Sequence, residues 1–225
     1  MAAKPGEADA SRAREALEHL CRAYWYPLYA FVRSRGYSSD DAQDLTQSFF
    51  ARLIETGGFA SVDPERGRFR SYLLGAMKHF LANDWHRGQT QKRGGGMALL
   101  ELDELDPEAR YLQQSSPAPD PDAGFDREWA QELIARALVT LRKALEAEGK
   151  GEHFELLKGS LTGQEPPRQE TAARLGTTEG AVKVAVHRLR RRYRELLRAE
   201  IGETVSDPSE IDDEMRHLMA ALRGD

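Results

Sequence analysis

Apolar residues along this chain recur at intervals of three and four, and no convincing run alternates with period two. Residues 10–87 read as helical, with short breaks at Gly36–Ser39 and Glu55–Pro64. In the first segment Leu17, Leu20, Tyr24, Leu28 and Phe31 fall on one face. The aromatic run YWYPLYAF around them predicts a packed core containing Trp25 and a kink at Pro27. The second helix opens with Ser38 or Ser39 as N-cap and has Asp40 and Asp41 in its first turn. Its predicted core stripe is Ala42, Leu45, Phe49 and Leu53, flanked by Phe50 and Ile54. Asp40, Asp41, Asp44, Gln47, Ser48 and Glu55 take the opposite face. A third helix, from about Gly67 to His86, sets Phe69, Leu73, Ala76, Met77 and Phe80 inward. Ser71, Gly75, Lys78, Ala82, Trp85 and His86 face outward.

The pattern breaks at QTQKRGGG (Gln89–Gly96) and again at the Pro-rich, acidic SSPAPDPDAG (Ser115–Gly124), which reads as an exposed linker. Residues 125–201 are helical again, interrupted around Gly149–Gly151 and Gly163–Pro167. A break at Glu203–Pro208 precedes a short amphipathic helix, Ser209–Leu222. The expected fold is all-α. Two small helical domains, 10–96 and 125–201, are joined by a flexible acidic linker over 97–124 and followed by an acidic tail, 202–225.

Within the second domain, QETAARLGTTEGAVKVAVHRLRR (Gln169–Arg191) has helix-turn-helix spacing. Ala172 lies four before Gly176, and Val182 six after it. The small residue lets two helices cross closely, the glycine takes the turn, and the β-branched residue packs into the angle. Thr178 caps the second helix, whose inward face is Val182, Ala185, Val186, Leu189, Tyr193 and Leu196. Gly180, Lys183, His187, Arg191, Arg194 and Arg198 form the outward stripe.

Composition adds little until it is read locally. Of 225 residues 40% are hydrophobic, enough for cores, and the net charge is only −5. That near-neutral total hides alternating blocks: +6 over Arg66–Arg93, −7 over Glu101–Glu128, +5 over Glu179–Arg198 and −6 over Glu200–Asp225. The single cysteine, Cys21, excludes an internal disulfide and a structural zinc framework. No apolar run is long enough to span a membrane, and the N-terminus has no secretory h-region, so a cytoplasmic setting is expected.

Nucleic acid is the partner these blocks predict. Arg66, Arg68 and Arg70 open the third helix, and Arg87, Lys92 and Arg93 follow it. Basic residues neutralise phosphates and aromatics stack on unpaired bases. Lys78, Asn83, Trp85, His86 and Arg87 are the candidate contacts to single-stranded DNA. On the other domain Thr178, Lys183, His187, Arg188, Arg191 and Arg194 are the candidates, with Lys183, His187 and Arg188 for bases and Arg191 and Arg194 for phosphates. His79, Asp84 and His86 diverge on the helix, so no metal site is expected; no nucleophile with a base is found either, and no cofactor or enzymatic activity is expected. The acidic blocks are expected to fold back on the basic surfaces at low salt.

With both halves in view, the chain resembles the extracytoplasmic-function sigma factors of bacterial RNA polymerase over about residues 15–93 and 127–199. YPLYAFVR, DDAQDLTQSFFARL and RFRSYLLGAMKHFLANDWHR are similar to region two, and ETAARLGTTEGAVKVAVHRLRRRYREL to region four. The resemblance implies that the acidic helix docks on the core RNA polymerase clamp through Asp41, Asp44, Gln47 and Ser48. It also implies that the third helix and its following loop read and melt the minus-ten element of promoter DNA. The second helix of the helix-turn-helix would read the minus-thirty-five element. Relatives often carry an acid where Ser48 stands, and a subgroup with a similar motif is associated with Ser/Thr kinases. Phosphorylation at Thr46 or Ser48, with Thr46 favoured by the resemblance, is therefore an expected control of docking. An anti-sigma factor is the other regulator expected. The alternative function is a helix-turn-helix regulator acting without core polymerase.

Overall fold

The computed structural model describes residues 5–56, 68–87, 106–113, 120–205 and 207–224; of 5–18 and 84–87 it describes the backbone alone. Among the described residues no strand occurs. The helices are α1 (Pro5–Ser34), α2 (Ser39–Glu55), α3 (Phe69–Arg87), α4 (Pro107–Leu112), α5 (Pro121–Ala147), α6 (Gly151–Leu157), α7 (Arg168–Arg174), α8 (Glu179–Gly202) and α9 (Ile211–Arg223). The chain separates into two compact units, Met1–Glu132 with Glu203–Asp225, and Leu133–Gly202. These limits differ from the expected ones at two places. The tail joins the first unit, and the boundary falls inside α5 instead of before it.

Unit 1 is organised around α1. Every residue from Ala23 to Val32 is buried, as required of a helix that neighbours enclose on all sides. That is why the run YWYPLYAF tolerates no polar residue but the tyrosine hydroxyls. Pro27 lies inside α1 without ending it, since α1 continues for seven residues beyond it. Rings carry much of the packing: Tyr24 meets Phe69 edge-on at 5.5 Å and stacks near Phe125 at 6.5 Å, while Trp25 stacks on Tyr29 at 5.4 Å. Burial pushes the Tyr24 hydroxyl well above the usual phenol range, and it hydrogen-bonds Thr204 from the chain's last segment.

Ser38 starts α2 by a reciprocal cap. Its hydroxyl accepts from the Asp41 amide at 3.1 Å and donates to the Asp41 carboxylate at 2.7 Å. Ala42, Thr46, Phe49, Phe50 and Leu53 are buried, so the stripe is rotated from the expected one: Thr46 is inside and Leu45 only half-buried. Two adjacent phenylalanines both seek the core, which turns the helix toward the side Thr46 occupies. Its hydroxyl donates to the Ala42 carbonyl at 2.7 Å, so no polar group is stranded.

The acidic segment expected to be a flexible linker is folded at its described parts. Asp106 caps α4, and α4 is clipped to α1. Arg33 donates to both carboxylate oxygens of Glu108, at 2.8 and 2.6 Å, and the Tyr29 hydroxyl donates to the same group at 2.7 Å. Arg110 stands 3.6 Å over the Tyr26 ring and donates to Glu132 at 2.8 Å. Local polarity predicted solvation, but α1 presents tyrosines and an arginine that match the linker's acids.

Unit 2 closes on Leu141, Leu145, Phe154, Leu157, Ala172, Val182, Val186 and Leu189, with Tyr193 and Leu196 packed at the margin. Burial raises the Tyr193 hydroxyl to about 12. α7 and α8 are joined by a four-residue turn in which Gly176 takes φ +59°, the left-handed region where a Cβ is strained. The Thr177 amide reaches the Ala172 carbonyl at 2.9 Å, closing α7. Thr178 Oγ1 accepts from the Ala181 amide at 3.2 Å and caps α8.

Candidate nucleic-acid interface

The basic residues at the start of α3 have a fate the charge pattern did not foretell. Arg70 is 4% exposed. It pairs with Asp126 of α5, lies 3.5 Å from Glu214 of α9, and spreads over the Trp129 ring at 4.7 Å. Arg68 pairs with Glu214 at 2.7 Å, and His217 sits 3.1 Å from Asp126. These arginines are therefore corrected from phosphate contacts to members of an ionic cluster, with Arg70 at its buried centre and Arg68 at its partly exposed edge. The reason is stoichiometric: α5 and α9 bring acids into unit 1 that would otherwise be buried unpaired. Arg66, Lys92 and Arg93 lie outside the described residues.

Further along α3, Lys78 is half-exposed and pairs with Asp122 at the start of α5. Asn83 is exposed, its amide nitrogen 2.7 Å from His79 Nδ1. It stands on the rim of a groove of about 330 Å³ between α2 and α3, lined by Phe49, Arg52, Leu53, Thr56, Ala76, His79 and Phe80 as well. The backbone of Trp85, His86 and Arg87 continues α3, and their side chains lie outside the described residues. Sequence reasoning missed the groove, because the α2 and α3 stripes it draws on are each explained by core packing.

On α2, Asp40, Asp41, Asp44, Gln47 and Ser48 are all exposed along one side. Asp41 divides its carboxylate between that surface and the helix cap. Thr46 is fully enclosed. The expectation of Thr46 as the favoured phosphorylation target is corrected for the folded unit: a kinase reaches that hydroxyl only if α2 leaves its seat. Ser48 is the accessible hydroxyl of the pair.

On α8, Lys183, His187, Arg188 and Arg194 are exposed, and no ion pair engages them among the described residues. Thr178 is spent on the cap. Arg191 pairs with Glu195 one turn on at 2.8 Å, an exposed contact that a phosphate can replace at little cost. Arg190 and Arg192 are fixed structurally instead. Arg190 binds the Ser160 carbonyl and Glu165, and Arg192 binds Glu148. Val184, 48% exposed among these cations, is absent from the sequence-derived stripe. Its signal was available as a bulky apolar residue diametrically opposite Val182 and Val186 on the wheel.

Among the described residues no group of three His, Cys, Asp or Glu side chains stands where it could hold a metal, and no helix is long and apolar enough to cross a membrane. Unit 1 thus pairs an α1–α3 bundle with an acidic α2 face, and unit 2 carries a basic helix, α8. Residues 20–91 match the family model described as Sigma-70 region 2. The match supports a sigma-70 region 2 over these residues. No curated protein and no solved structure matches the chain.

Proposed function

We propose that the chain is a sigma factor of the extracytoplasmic-function type, which binds core RNA polymerase and directs it to particular promoters. The match of residues 20–91 to region 2 carries this reading. Region 2 supplies the docking surface, for which the exposed row Asp41, Asp44, Gln47 and Ser48 is suited by charge. It also supplies the surface for the minus-ten element, drawn from the end of α3 around Lys78, Asn83, Trp85, His86 and Arg87. Unit 2 acts as region 4 and reads the minus-thirty-five element with α8. Support for that comes from the turn at Gly176 and the exposed side chains of Lys183, His187, Arg188 and Arg194. The chain performs no chemistry of its own, since the polymerase supplies it.

Control of docking falls to α2. A phosphate on Ser48 would add charge to a face already built of acids. A phosphate on Thr46 would act differently, by unseating the helix. An anti-sigma factor would compete for the same face. The tail, by contrast, is a poor removable latch, because Glu214 and Leu218 are part of the unit 1 interior. Transcription by purified core polymerase on genomic fragments, with and without the protein, tests the proposal. New transcripts with defined starts are expected, and their absence together with no affinity for core polymerase would refute it.

A further inference from the structure

Val184 is the feature of unit 2 that internal packing leaves unexplained. The other large apolar side chains of α8 are buried or packed on the core. Val184 alone among them turns outward, 48% exposed. A single exposed valine is ordinary on a protein surface. Its placement here is not. At about 100° per residue it stands opposite the ridge of Val182, Val186 and Leu189, at the middle of the outward face. Lys183, His187 and Arg188 surround it, all exposed and cationic or polar.

One turn earlier on the same face is Gly180. Its backbone is helical, and a Cβ added there would meet only Thr178 Oγ1, at 3.9 Å. Nothing inside unit 2 requires a glycine, and glycine weakens a helix relative to alanine. Gly180 and Val184 together make a small apolar spot with a bare backbone edge, set inside a cationic rim at the first turns of a capped helix.

The rim selects a polyanion, and the spot selects an apolar group within it. In duplex DNA the major groove offers one such group, the C5 methyl of thymine. We propose that Val184 packs on the methyl of a thymine in the major groove, and that Gly180 lets the start of α8 approach the base edge. The surrounding cations bind phosphates, which hold the helix in register but carry no sequence information. Val184 is then a specificity-determining residue. The inference rests on the reading of unit 2 as a DNA-binding module.

The test uses the full chain bound to core RNA polymerase. Duplexes with a randomised segment are selected for binding, and the most enriched duplex is resynthesised with each thymine in turn replaced by deoxyuridine, which removes only the methyl. For the wild type, one or two replacements should lower affinity about fourfold, the scale of one buried methyl group. In Val184→Ala the same replacements should have no effect. Gly180→Ala should lower affinity for the unmodified duplex severalfold while leaving α8 at least as helical by circular dichroism. Indifference of the wild type to every replacement, or an equal loss in Val184→Ala, would overturn the inference alone. So would a Val184→Ala variant that binds core polymerase less tightly but reads thymine methyls as before, because Val184 would then be a protein contact. Failure to enrich any sequence while core polymerase is still bound would overturn the DNA-binding reading of unit 2, and this inference with it.

Discussion

Replacing Glu214 by alanine should loosen the whole of unit 1, although Glu214 lies in an acidic tail far in sequence from residues 20–91. Its carboxylate is 3% exposed and faces Arg68 at 2.7 Å and Arg70 at 3.5 Å. Breaking a buried pair by removing one partner costs about 3–5 kcal/mol, because the other charge is left in a poor solvent. Arg70 keeps Asp126 and the face of Trp129, and Arg68 is partly exposed and regains water. The expected loss is therefore below that range, about 2–3 kcal/mol. Asp213→Ala, one residue away, is the control. Asp213 pairs with Arg216 at the surface, both more than half exposed, and such pairs contribute roughly 0–1 kcal/mol. Native-state hydrogen exchange of α1 and α3 amides reads unit 1 separately from unit 2. A loss of 2–3 kcal/mol corresponds to exchange faster by roughly 30- to 150-fold. If Glu214→Ala and Asp213→Ala accelerate exchange equally, the tail is a solvated extension and the cluster contributes nothing.

The remaining predictions concern α2, α4, the α7–α8 turn and α3. Thr46→Glu, which puts a charge where no water reaches, should destabilise unit 1 by several kcal/mol, whereas Ser48→Glu should leave thermal stability unchanged and alter only binding to core polymerase. The Arg33 guanidinium holds the Glu108 carboxyl below its ordinary value of 4.5. The stabilisation of α4 is thus complete above pH 4.5 and is lost as pH falls through the lower folded value; exchange at α4 amides should rise there, and Glu108→Gln should flatten that dependence. Gly176→Ala forces a Cβ into φ +59° and should cost about 1–2 kcal/mol in unit 2, read by urea unfolding followed at α8. Asp122→Ala frees Lys78 and should tighten binding to single-stranded DNA at low salt. An effect that persists undiminished at 1 M salt would show that charge is not the cause.

Local physics was legible in the chain itself. The Ser38 and Thr178 caps, the turn glycine at Gly176, the inward Val182 and Val186 and the exposed acids of α2 all depend on residues within a turn or two of one another. For such features the helical period and side-chain chemistry decide the outcome before any tertiary contact forms. The one-residue error in the α2 stripe, Leu45 for Thr46, shows where that reasoning stops, since only neighbouring helices decide how far two adjacent phenylalanines rotate a helix. The basic start of α3 shows it more sharply. Arg68 and Arg70 carry the same charge whether they face phosphate or Glu214, and their acids arrive from 56 to 146 residues away. The same holds for Glu108 on Arg33, 75 residues apart. A charge in a sequence declares what it will pair with but not which partner will come within reach. For Arg70 burial then settles the matter, because a low-dielectric interior admits it only together with its carboxylates, and the tertiary fold alone decides that they meet.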